Sequence, residues 1–171
     1  AMSTDGRWFE ADRIIFNGDP PTLYRQMLPY YGGKIKKALP EKITRYSMGL
    51  YVLFFGTDRS YPDVAHHTIW MGKRYQSLLN DIFNKKILAD DFSLYLHRPT
   101  ATDPSFAPDF HDSFYVLCPV PNLQAENIDW ETEGPALQQR IVTALEKTIL
   151  PDLSHHIRGD FFMTPEDFQR D

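Results

Sequence analysis

The chain has 171 residues, a formal net charge of −5, 42% hydrophobic residues and one cysteine, which suits one domain or one domain with flanking pieces. The acidic balance argues against a nucleic-acid partner, and the lone Cys118 excludes an internal disulfide and suits a reducing compartment. No apolar run approaches the ~20 residues of a membrane-spanning helix. No signal peptide is visible, and Ala1-Met2 reads as one residue added ahead of an initiator methionine.

Charge is uneven along the chain. The first fifty residues hold 8 Lys/Arg against 5 Asp/Glu, and the remainder holds 10 against 18. Aromatics reach 14%, with 12 Phe, 9 Tyr and 3 Trp. Such an excess either fills a core or lines an apolar ligand site.

In chain order, Arg7–Asn17 reads as a strand through Trp8, Phe9, Ile14, Ile15 and Phe16. Asp19 then caps a short helix opening at Pro20-Pro21 and running through Leu23, Tyr24, Met27 and Leu28 to Pro29. Tyr46–Gly56 is the strongest strand, with Leu50–Phe55 apolar on both faces, so it belongs inside a sheet. His66–Met71 is a shorter strand. Lys73–Lys86 is an amphipathic helix, because Tyr75, Leu78, Leu79, Ile82 and Phe83 recur at helical spacing. Asp91–His97 is a strand with Phe92, Leu94 and Leu96 on one face and Ser93, Tyr95 and His97 on the other. Thr100–Asp112 is a loop and Ser113–Val120 a further strand. Gly134-Pro135 opens a long helix that Pro151 closes, His155–Met163 is a strand, and Thr164-Pro165 starts a last helix with threonine as cap. The sum is an α+β fold: a mostly antiparallel sheet with amphipathic helices packed on one face.

Tests for familiar chemistry are mostly negative. The sequence has no G-x-G-x-x-G and no G-x-x-x-x-G-K, so it carries no recognisable nucleotide cradle. His66-His67 and His155-His156 are adjacent pairs. Neighbours on a strand face opposite ways, so each pair can give at most one ligand to a shared site, and no metal is expected. No G-x-S-x-G is present, and Cys118 sits among apolar neighbours where an inert thiol is expected. The Ser93/Tyr95/His97 face is either solvated or the polar lining of an apolar cleft. Tyr30, Tyr31, Lys34, Lys36 and Lys37 are either a solvated basic loop or a membrane-interface patch, since tyrosine rings favour the headgroup level and lysines attract anionic lipid.

Several stretches resemble the bacterial-type phytoene (carotenoid) desaturases, of the amine-oxidase-like flavoprotein superfamily. They are Ala11–Pro20, Leu50–Gly56, Ala65–Ile69, Asp90–His97, Tyr115–Pro121, Asn127–Trp130 and Phe162–Phe168. They follow the family's order through nearly the whole chain, which is more specific than any single motif.

The resemblance implies an FAD-dependent enzyme that dehydrogenates phytoene or a similar long apolar polyene precursor. Family members are much longer, and their glycine-rich flavin-binding segments have no counterpart here. FAD would therefore be held by the full-length enzyme, with no cofactor-binding residues in this piece, which alone would be inactive. By that reading 1–28 is an edge of the FAD-binding domain, 29–155 is the substrate-binding domain, and 156–171 returns toward the FAD-binding domain. Phe92, Tyr95, His97, Phe114 and Tyr115 are the substrate-channel candidates, and no catalytic acid or base can be carried over. The implied partners are the apolar carotenoid precursor, the missing FAD-binding domain and a membrane surface. The location implied is cytoplasmic, peripheral at the cytoplasmic membrane. A related flavoprotein (carotenoid isomerase, ketolase, diapophytoene desaturase or amine oxidase) and a stand-alone apolar-ligand-binding module stay open as alternatives.

Overall fold

Leu50–Phe55, apolar on both faces, lies in an interior strand of the sheet with a neighbour on each side. The computed structural model describes residues 1–23, 27–28 and 45–170. They form two units, Ala1–Arg45 and Tyr46–Asp171, each described by itself.

In the larger unit β1 (Gly49–Thr57) pairs antiparallel with β4 (Asp112–Val120) on one side and β5 (Ile157–Met163) on the other. β2 (His67–Trp70) and β3 (Leu94–His97) complete a sheet of order β2-β3-β4-β1-β5, antiparallel throughout. The α+β class and the antiparallel sheet are as the sequence predicts. So is the central sequence of two strands, a helix, two strands and a helix.

Alternation then sorts side chains between the two faces. Tyr51, Leu53 and Phe55 of β1 and Phe114, Val116, Cys118 and Val120 of β4 are all buried toward one side. Leu94 and Leu96 of β3 join them. Helix α3 (Trp130–Glu146) covers that side with Leu137, Ile141 and Leu145, and Leu150 and Leu153 close the core beyond its end. Each such side chain contributes about 1.5–3 kcal/mol through burial.

The helix boundaries depart from expectation in instructive ways. α3 begins at Trp130 rather than at Gly134-Pro135, because Asp129 accepts a hydrogen bond from the Glu131 N–H at 3.2 Å and another from the Thr132 hydroxyl at 2.7 Å. Pro135 therefore lies inside the helix, where it removes one backbone donor. The Gly134 carbonyl receives the buried Tyr51 hydroxyl at 2.9 Å. A Cβ on Gly134 would come within 2.8 Å of the Phe162 ring, so glycine permits this approach of strand to helix. The helix expected over Lys73–Lys86 is split into α2 (Tyr75–Asn80) and a wider π turn, Asp81–Lys85. It buries Leu78 and Ile82 but leaves Tyr75 and Phe83 exposed. The buried Asp81 carboxylate takes Lys85 Nζ at 2.6 Å and Arg74 Nη2 at 3.1 Å. α4 (Leu153–His156) takes the first residues of the expected last strand, and β5 follows it. α5 (Pro165–Arg170) is capped by Thr164, whose N–H donates to Asp167 Oδ2 at 2.8 Å while the Asp167 N–H points back to Thr164 Oγ1.

In the smaller unit Asp19 caps α1 (Pro20–Thr22) through the Thr22 N–H, as predicted. Tyr24 and Pro29 lie outside the described residues. The strand expected over Arg7–Asn17 does not form: Trp8 makes only an isolated bridge to Met2, and Trp8, Ile14 and Ile15 are exposed. β-forming residues need a ladder partner, and none runs beside Ile14–Phe16 among the described residues of this unit.

A buried polar cluster sits where β4 begins and β3 has just ended. Asp112, at the start of β4, accepts from Arg98 Nε at 2.9 Å, Thr100 Oγ1 at 2.5 Å and the Tyr61 N–H at 2.6 Å. Arg98 is itself buried and donates to the Val64 carbonyl at 3.0 Å. Burial pushes the Asp112 carboxyl up, but the bonds from Arg98, Thr100 and Tyr61 outweigh it and hold the group below the usual carboxylate value. A depressed carboxylate stabilises the fold above its unfolded-state pKa, and that stability is lost as pH falls through the folded-state value. Asp112→Ala should cost about 3–5 kcal/mol in urea unfolding, because it strands a buried guanidinium. The contribution of Asp112 should be lost as pH falls below about 4, and the variant should lack that part of the acid transition.

Candidate functional site

Residues of the second sheet face alternate with the core residues. On β1 these are Leu50, Val52 and Phe54, on β3 Tyr95 and His97, and on β4 Ser113, Tyr115, Leu117 and Pro119. The register places His67 opposite His97, and Phe54 opposite both Tyr115 and Phe161. The result is a row of rings across all five strands. His67 stacks on Tyr95 at 5.8 Å, His97 lies 4.5 Å from Tyr115, Tyr115 lies 5.9 Å from Phe54, and Phe54 stacks on Phe161 at 4.6 Å. Five strands at ~4.8 Å spacing make such a row roughly 20 Å long.

Its two ends differ. Phe161 at the β5 end is exposed and apolar. The β2–β3 end is polar, with the Tyr95 hydroxyl 2.7 Å from His67 Nδ1 and His97 Nε2 2.6 Å from His66 Nε2. Burial first, and then the neighbouring His66 and His67, hold His97 below the usual histidine range. Burial, and then a hydrogen bond shared with Tyr115, push the Tyr95 hydroxyl up. Both groups are therefore neutral near pH 7, which suits a surface that meets an apolar ligand.

Of the five channel candidates, the structure brings together Tyr95, His97 and Tyr115 in this row. Phe92 and Phe114 belong to the opposite, α3-covered side, where both are buried. Phe114 stacks on Phe55 at 5.0 Å and Phe92 meets Trp70 at 5.7 Å. The five thus cannot line a single surface. Phe92 instead walls an open groove of about 410 Å³ with Trp70, Asp91 and Arg140, within the size range of small-molecule sites. Phe54 and Phe161 were not among the candidates. Their strands are legible in the sequence, but only the β1–β4 and β1–β5 registers put their rings beside Tyr115. The candidates Tyr30, Tyr31, Lys34, Lys36 and Lys37 lie outside the described residues.

Both members of the His66-His67 pair reach one cluster, where strand alternation predicts only one. His66 precedes β2 on a bend, so strand alternation does not govern it, and both members of the pair approach His97. His155 and His156 stay apart from this cluster, and His156 Nδ1 pairs with Asp58 at 2.8 Å.

No protein-family model matches the chain. Curated relatives do. The chain is 44% identical over 164 residues to a lycopene-forming phytoene desaturase of Paracoccus sp. (strain N81106 / MBIC 01143), covering 96% of this chain and 33% of that protein. It is 43% identical over 164 residues to a lycopene-forming phytoene desaturase of Pseudescherichia vulneris, again 96% and 33%. A neurosporene-forming phytoene desaturase of Rhodobacter capsulatus is 38% identical over 175 residues, 96% of this chain and 32% of that protein. The chain is related to the phytoene desaturases. It spans about a third of the length of these relatives. Among the described residues of this chain no helix is long and apolar enough to cross a membrane.

Cys118 is core rather than chemistry. It is fully enclosed on the α3 side of β4, and burial pushes its thiol up to about 12. The folded chain should resist iodoacetamide near neutral pH, and urea-unfolded chain should be labelled at this one site, as read by mass spectrometry.

Proposed function

We propose that this chain is the substrate-facing part of an FAD-dependent carotenoid desaturase acting on phytoene or a similar apolar polyene. The observation that carries this reading is the aromatic row His67–Tyr95–His97–Tyr115–Phe54–Phe161, in a chain 44% identical to a lycopene-forming phytoene desaturase. A long hydrocarbon offers almost nothing to hydrogen-bond. Its recognition rests on extended apolar and π surface that excludes water, and a row of rings some 20 Å long supplies that.

The described residues do not fit the flavin itself. No glycine-rich strand-to-helix turn is present among them, and the one described glycine with positive φ, Gly6, lies in an exposed turn. The FAD would be held by residues of the larger protein, for which 1–28 and 156–171 are the proposed edges of the flavin domain and 29–155 the proposed substrate-binding part. No chemical step is assigned to side chains of this chain. Their part is to bind, orient and dehydrate the polyene.

The test is product analysis with the full-length protein supplied with FAD and phytoene in liposomes. The expected result is coloured products with longer conjugated chains. Phe54→Ser and Phe161→Ser should each slow their formation several-fold without loss of bound flavin. A folded, flavin-loaded enzyme that leaves phytoene unchanged would refute the substrate assignment. The 171-residue chain alone should retain no flavin absorbance after gel filtration.

The same reading places the protein at the cytoplasmic membrane, because such a substrate resides in lipid. Lys34, Lys36 and Lys37, with Tyr30 and Tyr31, are the proposed contact. Each lysine near an anionic surface is worth about 1 kcal/mol. Replacing the three lysines by glutamate should reduce co-sedimentation with anionic liposomes at least tenfold, and unchanged binding would remove this assignment.

A further inference from the structure

The three histidines at the β2–β3 end of the sheet have more nitrogen donors than their protein contacts use. The nearest-approach ring nitrogens of His66, His67 and His97 all lie within 4.8 Å of one another. His66 Nε2 and His97 Nε2 are 2.6 Å apart, and two imidazole nitrogens at that distance need a shared proton or a shared ion between them. An ion held at about 2.0–2.1 Å by each nitrogen in tetrahedral geometry sets its ligands about 3.3 Å apart. Side-chain shifts of about an ångström would reach that geometry, with no change in the backbone.

The surrounding hydrogen bonds favour the same nitrogens. His66 Nδ1 meets the Thr102 hydroxyl, and His67 Nδ1 meets the Tyr95 hydroxyl at 2.7 Å. Each contact orients its ring and leaves Nε2 available, the arrangement of metal-bound histidines whose other nitrogen is held by an outer partner. His97 Nδ1 is buried with no partner, so this ring is held in place at some cost without its hydrogen bonding being complete. The backbone fixes the three together, since the β2–β3 register sets His67 opposite His97 and the Arg98 N–H donates to the His66 carbonyl at 2.9 Å. His67 is exposed on the sheet's edge strand, which provides an entry path.

We propose that His66, His67 and His97 form a binding site for a divalent late first-row transition-metal ion, with Zn²⁺ as the reference occupant. Three imidazoles and no carboxylate suit Zn²⁺, Cu²⁺ or Ni²⁺ and reject Mg²⁺ and Ca²⁺, which require oxygen ligands. Three protein ligands leave a fourth position for water or another small donor. The ion would tie the bend before β2 to β3 and, through Thr102, to the turn that follows it.

The experiment uses the 171-residue chain after EDTA treatment and dialysis, titrated with Co²⁺ as a spectroscopic substitute for Zn²⁺. The expected result is saturable uptake of one Co²⁺ per chain, with the intense visible bands of a four-coordinate nitrogen-ligated ion that Zn²⁺ displaces. His97→Ala and His67→Ala should abolish these bands, Thr102→Val should weaken binding about tenfold, and His155→Ala should leave it unchanged. His67 is solvent-exposed, so its variant should keep the wild-type circular dichroism and remain informative if His97→Ala does not fold. No saturable uptake, or uptake that His67→Ala leaves intact, would overturn the site.

Discussion

The buried pair Arg98–Asp112 is the constraint on which the functional end of the sheet rests. Asp112 opens β4 and Arg98 directly follows β3, so the pair joins two strands where their backbone pairing has ended. The same carboxylate holds the Tyr61 N–H and Thr100 hydroxyl, and the same guanidinium holds the Val64 carbonyl. The long loop from β1 to β2 is thereby drawn against the 3₁₀ turn at Pro99–Ala101. Arg98 also fixes His66 through its own N–H. A charge pair in this position is a poor source of net stability, because desolvation offsets much of the attraction. Its effect is positional: removing either partner leaves an unpaired buried charge, so alternative loop placements are strongly disfavoured.

The sheet separates two tasks by its period of two. Even-numbered residues of β3 and β4 enter the core beneath α3, where they meet odd-numbered residues of β1. The opposite set forms the ring row. Substitution on one side therefore acts on stability and on the other side acts on the surface. The core side is aliphatic and aromatic apart from the buried Thr57 and Asp112 at one end. The other side grades from apolar at Phe161 to polar at His67, and this gradient gives the proposed polyene surface one end where hydroxyl and imidazole groups gather.

Much of this was legible from residue order. The apolar run Leu50–Phe55 demanded a strand in the sheet interior and occupies one. Asp19 and Thr164 marked helix starts because their side chains satisfy backbone N–H groups that no helix can satisfy internally. The failures have equally local causes. Pro135 looked like a first-turn residue, but the Asp129 cap and the Tyr51 hydroxyl on the Gly134 carbonyl support a helix that starts earlier. Ile14–Phe16 has strand composition, but no ladder partner runs beside it among the described residues of its unit. His66 looked as though it opposed His67, and a bend instead released it from alternation.

The sequence by itself determined the α+β class, the chain order of the central elements and the likeness to carotenoid desaturases. These follow from periodicity, caps and ordered motifs, all properties of neighbouring residues. Only the tertiary structure decided which candidate residues share a surface. Tyr95, Tyr115, Phe54 and Phe161 come from four strands, and their adjacency depends on β1 pairing with β4 and β5 in one register. A shift of one residue would send any of these rings to the other face. The meeting of His66, His67 and His97 is the same kind of fact. It arises from strand pairing and one buried ion pair between residues distant in sequence, so no local pattern could announce it.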